Sequence, residues 1–247
     1  MTMTPFLRRV LDALFDLLLG ACCPGCQRAG LGLCATCRAG LPVVGGPMRD
    51  TPALGPALVG RVYCAGRYAG PLREMLSAHK DRGAWTLTGV LAGQLWLAVE
   101  ALLQDLLPRA SPATMVALVP IPSSPRSVRE RGFDHATALV RGVVRRRRGS
   151  PEAGGPTLVV VPALRRVHRV ADQSALGREQ RVRNQRGSMR ARPPRGVRLA
   201  VLCDDICTTG ASLTEGERAL RAAGWTVLGA AVVAHPQRFF TEPLKRV

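Results

Sequence analysis

The stretch Val197-Arg-Leu-Ala-Val-Leu-Cys-Asp-Asp-Ile-Cys-Thr-Thr-Gly-Ala-Ser-Leu213 decides how this chain is read. Leu199 to Leu202 is continuously apolar, as a strand covered on both faces must be. Asp204 and Asp205 follow where that strand should end, and Thr208, Thr209, Gly210, Ala211 and Ser212 come next. From Ala211 to Ala223, Leu213, Gly216, Ala219, Leu220 and Ala223 share one helical face. The order is strand, acidic pair, hydroxyl-and-glycine loop, helix. It places a loop at a helix N-terminus, where free N–H groups and the helix dipole favour a phosphate. Carboxylates cannot serve that phosphate. They suit sugar hydroxyls, or a metal carried by the ligand, so the implied ligand has both a phosphate and a polyol.

Working outward, Met115 to Ile121 reads as a second buried strand, ending in Val119-Pro-Ile-Pro122. A loop with Ser123, Ser124, Arg126, Arg129 and Arg131 follows, and helical spacing resumes at Ala136, Leu139, Val140 and Val143. Arginine suits such a loop because its fork can hold phosphate oxygens bidentately. A solvated basic loop is the other reading. Arg61 to Tyr68 and Thr157 to Val161 are further strands, and Thr226 to Ala234 is the last. Gly70-Pro71 opens a helix through about Ala78, and Lys80-Asp-Arg-Gly83 reads as a turn whose lysine is solvated, with a lysine that faces a phosphate as the other reading. Leu87 to Leu102 carries a long amphipathic helix that ends before Pro108. Alternating β and α elements predict an α/β fold, a mostly parallel sheet with flanking helices and a ligand at the carboxyl ends of the strands.

Charge agrees with an anionic ligand. Lys and Arg number 35 against 17 Asp and Glu, a formal net charge of +18. That favours phosphates, pyrophosphate or nucleic acid without choosing among them. The segment Leu164 to Arg198 holds eleven arginines against Asp172 and Glu179, so it is exposed or lines an anionic site. The Arg145 to Arg148 run reads as an exposed helix end, favourable with the dipole.

Five of the eight cysteines, Cys22, Cys23, Cys26, Cys34 and Cys37, crowd into sixteen residues. Cys23-Pro-Gly-Cys26 and Cys34-Ala-Thr-Cys37 are two Cys-x-x-Cys knuckles, able to set four thiolates tetrahedrally around one structural Zn2+. Disulfides or unligated thiols are the alternatives, and Cys22 could replace Cys23. The pattern suits a reducing compartment, and the expectation is a cytoplasmic protein. Phe6 to Leu18 reads as an amphipathic helix interrupted by Asp12 and Asp16, too short to span a bilayer. No other stretch approaches eighteen apolar residues, so no membrane insertion is expected. The expected organisation is residues 1–40 as N-terminal helix and zinc module, 41–60 as a Gly- and Pro-rich linker, and 61–247 as the main domain.

The run Val201 to Ser212 resembles the ribose-5-phosphate loop of type I phosphoribosyltransferases. The wider set resembles the ComF family of phosphoribosyltransferase-like proteins. That set is the double Cys-x-x-Cys, Tyr68-Ala-Gly-Pro-Leu-Arg73, His79-Lys80, Val119-Pro-Ile-Pro122, Arg131-Gly-Phe133, Gln173 with Leu176, Arg181 with Asn184, and the Asp-Asp loop. The resemblance implies a type I phosphoribosyltransferase fold preceded by a small four-cysteine zinc module. It implies phosphoribosyl pyrophosphate (PRPP) and Mg2+ as ligands, with transfer of the phosphoribosyl group to an unknown acceptor and release of pyrophosphate. Asp204 and Asp205 would hold the ribose, and Thr208, Thr209, Gly210, Ala211 and Ser212 the 5′-phosphate. Pro120, Ile121, Pro122, Ser123 and Arg131 would form the pyrophosphate loop, and Leu164 to Arg198 a closing hood. It also implies a link to competence and DNA uptake. The other reading is a non-catalytic PRPP or nucleotide sensor, or an accessory that engages single-stranded DNA and a helicase. Asp134-His135 departs from the family's Asn-Gln, and an Asp there would repel phosphate. Oligomeric state stays open.

Overall fold

The computed structural model describes residues 22–30, 32–48, 58, 61–149, 154–167 and 187–236, without the side chains of Arg126 and Arg131. The expected N-terminal helix and the hood residues Asp172, Gln173, Leu176, Arg181 and Asn184 lie outside the described residues. The strands are β1 (Gly46–Pro47), β2 (Val62–Arg67), β3 (Met115–Pro120), β4 (Thr157–Val160), β5 (Leu164–Arg166), β6 (Met189–Ala191), β7 (Leu199–Ile206) and β8 (Thr226–His235). The helices are α1 (Ala35–Ala39), α2 (Gly70–Asp81), α3 (Thr88–Leu106), α4 (Pro125–Arg131), α5 (His135–Arg148) and α6 (Ala211–Ala222).

Six strands form one sheet in the order β1-β2-β8-β7-β3-β4. All its pairings are parallel except that of β1 with β2. Successive side chains of a strand face opposite ways. In β7, Val201 and Cys203 enter the core that contains Leu91, Leu95, Leu139 and Val140 from α3 and α5. Ala200 and Leu202 enter the core that contains Leu213, Ala219 and Leu220 from α6. Helices therefore cover both faces, and the continuous apolar run is explained. The chain is a mixed α/β protein with a mostly parallel six-stranded sheet and a four-cysteine cluster near its N-terminus.

Three expectations change. Residues 41–60 include a packed segment instead of a free linker. Gly46 and Pro47 pair with Cys64 and Tyr63 at the sheet edge, where a proline lacking its N–H is tolerated. Gln94 Nε2 donates to Pro42 O at 3.2 Å, and a Cβ on Gly45 would stand 2.3 Å from Leu97 O, so only glycine fits against α3. Cys23, Leu33 and Cys37 belong to the same core as α2 and α3, so the cysteine module is docked on the sheet domain. Lys80 and Asp81 continue α2, and the turn begins only at Arg82, which caps the helix. Arg129 and Arg131 lie on α4, a short helix instead of a loop. Ser124 caps it by accepting from Ser127 N at 3.0 Å, with Pro125 in its first turn.

Trp85–Leu106, which includes α3, has a mean hydropathy of 1.5 over its most apolar window, long and apolar enough to cross a membrane by length and composition. The expectation that no stretch comes close is corrected. Half of that window is buried against the rest of the fold, where Leu91, Leu95, Ala98 and Leu102 are core residues.

Candidate functional site

Strand β7 delivers Asp204 and Asp205 at its carboxyl end, and the two carboxylates have opposite parity. Asp204 shares parity with Leu202, toward α6 and the β5–β6 hairpin. Asp205 shares parity with Cys203, toward α2 and α5. This splits their surroundings. Asp205 is 3% exposed, its Oδ1 accepts from Ile206 N at 2.8 Å, and its Oδ2 lies 3.1 Å from Lys80 Nζ and 3.3 Å from His135 Nε2. Asp204 is half-buried, and its Oδ1 accepts from Asp205 N at 2.9 Å.

Their pKa values separate accordingly. Burial by itself raises Asp205, but His135 and Lys80 outweigh it and hold the carboxyl well below the usual range. Burial and the charge of Asp205 push Asp204 up to about 7, against the pull of Lys80 and His135. One carboxylate is thus fixed as an ion, while its neighbour titrates near neutrality.

Lys80, expected as a solvated turn lysine, is instead an ion-pair partner of the acidic site. His135 sits at the start of α5, 6% exposed, with its Nδ1 3.2 Å from Ser123 Oγ. Ser123 Oγ donates to Asp134 Oδ1 at 3.2 Å, and Thr137 Oγ1 donates to Asp134 Oδ2 at 2.8 Å. Asp134, expected to repel a phosphate, spends both oxygens on these hydroxyls. His79 is 1% exposed, its Nε2 3.0 Å from Thr88 Oγ1 and its ring edge-on to Phe133 at 5.3 Å. Burial first, then the charge of His135, lowers the His79 pKa to about 4, so it is neutral.

The structure brings the end of the Pro120 segment to the same place. Ile121 N donates to Cys203 O at 2.8 Å, continuing the β3–β7 ladder. Arg166 Nε donates to Pro122 O at 2.9 Å, and its guanidinium feels the charge of Asp204. Burial lowers the Arg166 pKa, and Asp204 opposes that. Arg166 belongs to the arginine-rich Leu164 to Arg198 segment, on the strand β5 that pairs antiparallel with β6. That hairpin is anchored on α6, where Glu215 Oε1 accepts from Met189 N at 2.9 Å and Arg218 bridges Glu215 and Met189 O.

After Asp205 the chain turns through exposed Thr208 and half-buried Thr209 to Gly210, whose φ of 77° is left-handed. Glycine takes that conformation at no steric cost. No side chain caps α6 from Gly210; Ala211 N donates to Thr209 Oγ1 at 3.4 Å, and Ser212 is half-buried. The loop is a helix N-terminus beside a carboxylate pair, as the sequence implies. The side chain of Arg131 lies outside the described residues.

The cysteines form the second cluster. Cys23, Cys26, Cys34 and Cys37 present sulfurs that all lie within 4.8 Å of one another, a set able to hold a metal ion. Cys26 Sγ and Cys34 Sγ are 3.7 Å apart. That is about the edge of a tetrahedron with ~2.3 Å metal–sulfur bonds. Cys34 N donates to Cys23 Sγ and Cys37 N to Cys34 Sγ, both at 3.4 Å. Burial would raise Cys23, but backbone N–H groups of Cys34, Gly25 and Cys26 bring it down to about 6. Burial and the neighbouring thiols push Cys37 up. A Cβ on Gly25 would stand 2.9 Å from Cys37 Sγ, so the knuckle requires glycine. Cys23, 1% exposed, fills the fourth position, and Cys22 is exposed outside it. All eight cysteines are free thiols in this structure.

No family model matches the chain, and no curated protein matches it.

Proposed function

We propose that the chain is a PRPP-binding, phosphoribosyltransferase-like protein of the type I phosphoribosyltransferase fold, similar to the ComF family. The observation that carries this reading is the junction of β7 and α6. A carboxylate pair, Asp204 half-buried and Asp205 buried, leads directly into a helix N-terminus without a side-chain cap from Gly210, at the end of a parallel sheet. Such crevices are where open α/β sheets bind ligands. Ribose hydroxyls donate to Asp204, and Asp205 joins when Lys80, on a partly exposed stem, turns away. The 5′-phosphate takes the N–H groups of the loop from Thr208 to Ser212. Lys80, Arg166 and the Pro120–Ser123 segment flank the pyrophosphate. Positive charge there stabilises the leaving group: the bond from ribose C1 to pyrophosphate breaks, pyrophosphate departs, and C1 of the phosphoribosyl group bonds to an acceptor.

Mg2+ fits this arrangement through Asp204, an oxygen ligand at the half-exposed side, with the remaining positions filled by oxygens of PRPP and water. It would neutralise charge on the pyrophosphate. The four cysteines suit a structural Zn2+, since every tetrahedral position is filled and none is left for substrate. Calorimetric titration with PRPP and Mg2+ tests the reading. The native protein binds, and the Asp204→Asn, Asp205→Asn double variant does not. Failure of the native protein to bind overturns it. Pyrophosphate release across a panel of bases and amines then separates an enzyme from a sensor.

One observation favours a second reading, an accessory that binds single-stranded DNA. A cavity of about 550 Å³ is lined by Trp85, Thr88, Gly89, Phe133, Ala138, Gly142 and Arg145. Trp85 is 59% exposed there, with its ring centroid 5.4 Å from that of Phe133. An aromatic pair beside an arginine is a stacking platform with a phosphate contact. Salt-dependent DNA binding, lost in Trp85→Ala and kept in the double aspartate variant, would place that activity on this separate surface.

A further inference from the structure

The hydrogen bonds around His135 fix the role of one of its ring nitrogens. The Ser123 hydroxyl has one proton, and it donates to Asp134 Oδ1, a carboxylate that can only accept. Ser123 Oγ must then accept from His135 Nδ1, 3.2 Å away, so Nδ1 carries its hydrogen. Its Nε2 faces Asp205 Oδ2 at 3.3 Å, where the ring can donate as an imidazolium or, once deprotonated, offer a lone pair to a metal ion. Asp205 Oδ2 is buried and receives no hydrogen bond of acceptable geometry, although Lys80 Nζ stands 3.1 Å from it. A third ligand is at hand: His135, Asp204 and Asp205 present donor atoms that all lie within 4.8 Å of one another.

We propose that His135 Nε2, Asp204 and Asp205 form a binding site for a first-row transition metal ion, held by the chain's own side chains, with Lys80 as an internal cation that the metal displaces. The donor set selects the class of ion. An imidazole with two carboxylates suits Mn2+, Fe2+ or Zn2+, whereas Mg2+ prefers all-oxygen octahedra. The Asp134–Ser123–His135 relay is the outer support that metal-bound histidines use, fixing the ring's tautomer and orientation through its other nitrogen. Asp205 is held by Ile206 N and Asp204 by Asp205 N, so both carboxylates are oriented before any ion arrives. Lys80 can leave, because its side chain is 33% exposed while that of Asp205 is 4%. Metal and Lys80 compete for one carboxylate.

The site needs no PRPP, so its test uses the metal alone, and a failure of the phosphoribosyl reading would leave it standing. Full-length protein is first loaded with one equivalent of Zn2+, which four thiolates take in preference to an imidazole and two carboxylates, so that the cysteine cluster is filled and the acidic site is left open. It is then titrated with Mn2+ while the paramagnetic resonance of the free ion is recorded. The expected result is one Mn2+ per chain, not displaced by equimolar Mg2+. Affinity falls at least about tenfold in His135→Asn and about tenfold in Ser123→Ala, the loss typical of an outer-support residue. Lys80→Met binds about fivefold more tightly, because a partly exposed ion pair no longer competes. Full free-ion signal in both the native protein and Lys80→Met would overturn the proposal. So would unchanged affinity in a folded His135→Asn or Ser123→Ala. Should His135→Asn fail to fold, the half-exposed Ser123 and Lys80 positions still decide the question.

Discussion

The cysteine cluster and the acidic site are both crowded sets of anion-forming side chains steered by backbone N–H groups, and they are finished differently. The four cysteines bring their sulfurs within 4.8 Å of one another, two of the residues buried, with a glycine pressed against Cys37 Sγ. Nothing is left for a substrate. The acidic pair has one member locked by Ile206 N, Lys80 and His135 and one half-buried. Beside it stands a helix N-terminus with no cap from Gly210. A site that the chain completes by itself contributes to the fold; a site left incomplete on one side can bind something. The closed cluster should therefore govern local stability, and the open one ligand affinity.

The largest effect falls on the closed site. Zinc in small four-ligand modules supplies on the order of 10 kcal/mol of apparent binding energy, nearly all of it folding energy. Chelation or Cys26→Ser should abolish amide-exchange protection over 22–40, while β7 keeps its own. Equal loss in both regions would break the distinction.

Next is Asp205→Asn, which leaves Lys80 and His135 without their shared partner in a buried setting. Urea unfolding should show a loss of about 3 kcal/mol. A neutral outcome would mean that Asp205 is not locked.

Gly25→Ala forces a methyl to 2.9 Å from Cys37 Sγ. Overpacking of that kind costs about 1–3 kcal/mol, read here as weaker metal retention against a chelator.

The smallest effect separates the two carboxylates by sign. Asp204 has its pKa raised from 3.8 to about 7, so the stability tied to its neutral form is complete below 3.8 and is lost as pH rises through 7. Asp205 is shifted down, so its contribution is present above the usual carboxylate range and is lost as pH falls. Asp204→Asn should thus gain about 1 kcal/mol over the native protein at pH 8, and nothing at low pH. A loss at pH 8 would reverse the assignment.

Local patterns made part of this legible in the sequence. The apolar run, the acidic pair and the glycine before a helical face together announce β7, its site and α6, since all three are contiguous. The paired Cys-x-x-Cys spacing likewise announces the cluster. What stayed hidden depends on partners distant in the chain. Lys80 meets Asp205 across 125 positions, and Arg166 reaches Pro122 O across 44. No spacing rule connects them. His135 looked like a mere departure from a family pattern, and its geometry gave it a role. Two misreadings had signals that could have corrected them. Ser124-Pro125 is a helix start, and Pro47 after two glycines fits an edge strand as well as a linker.

Affinity of Asp204→Asn for PRPP with Mg2+ tests the central claim most directly, because this substitution should leave the fold intact. The account predicts binding weaker by at least about tenfold, the loss of hydrogen bonds to a charged group, at unchanged or improved stability. A folded Asp204→Asn protein that binds PRPP as tightly as the native one would contradict it.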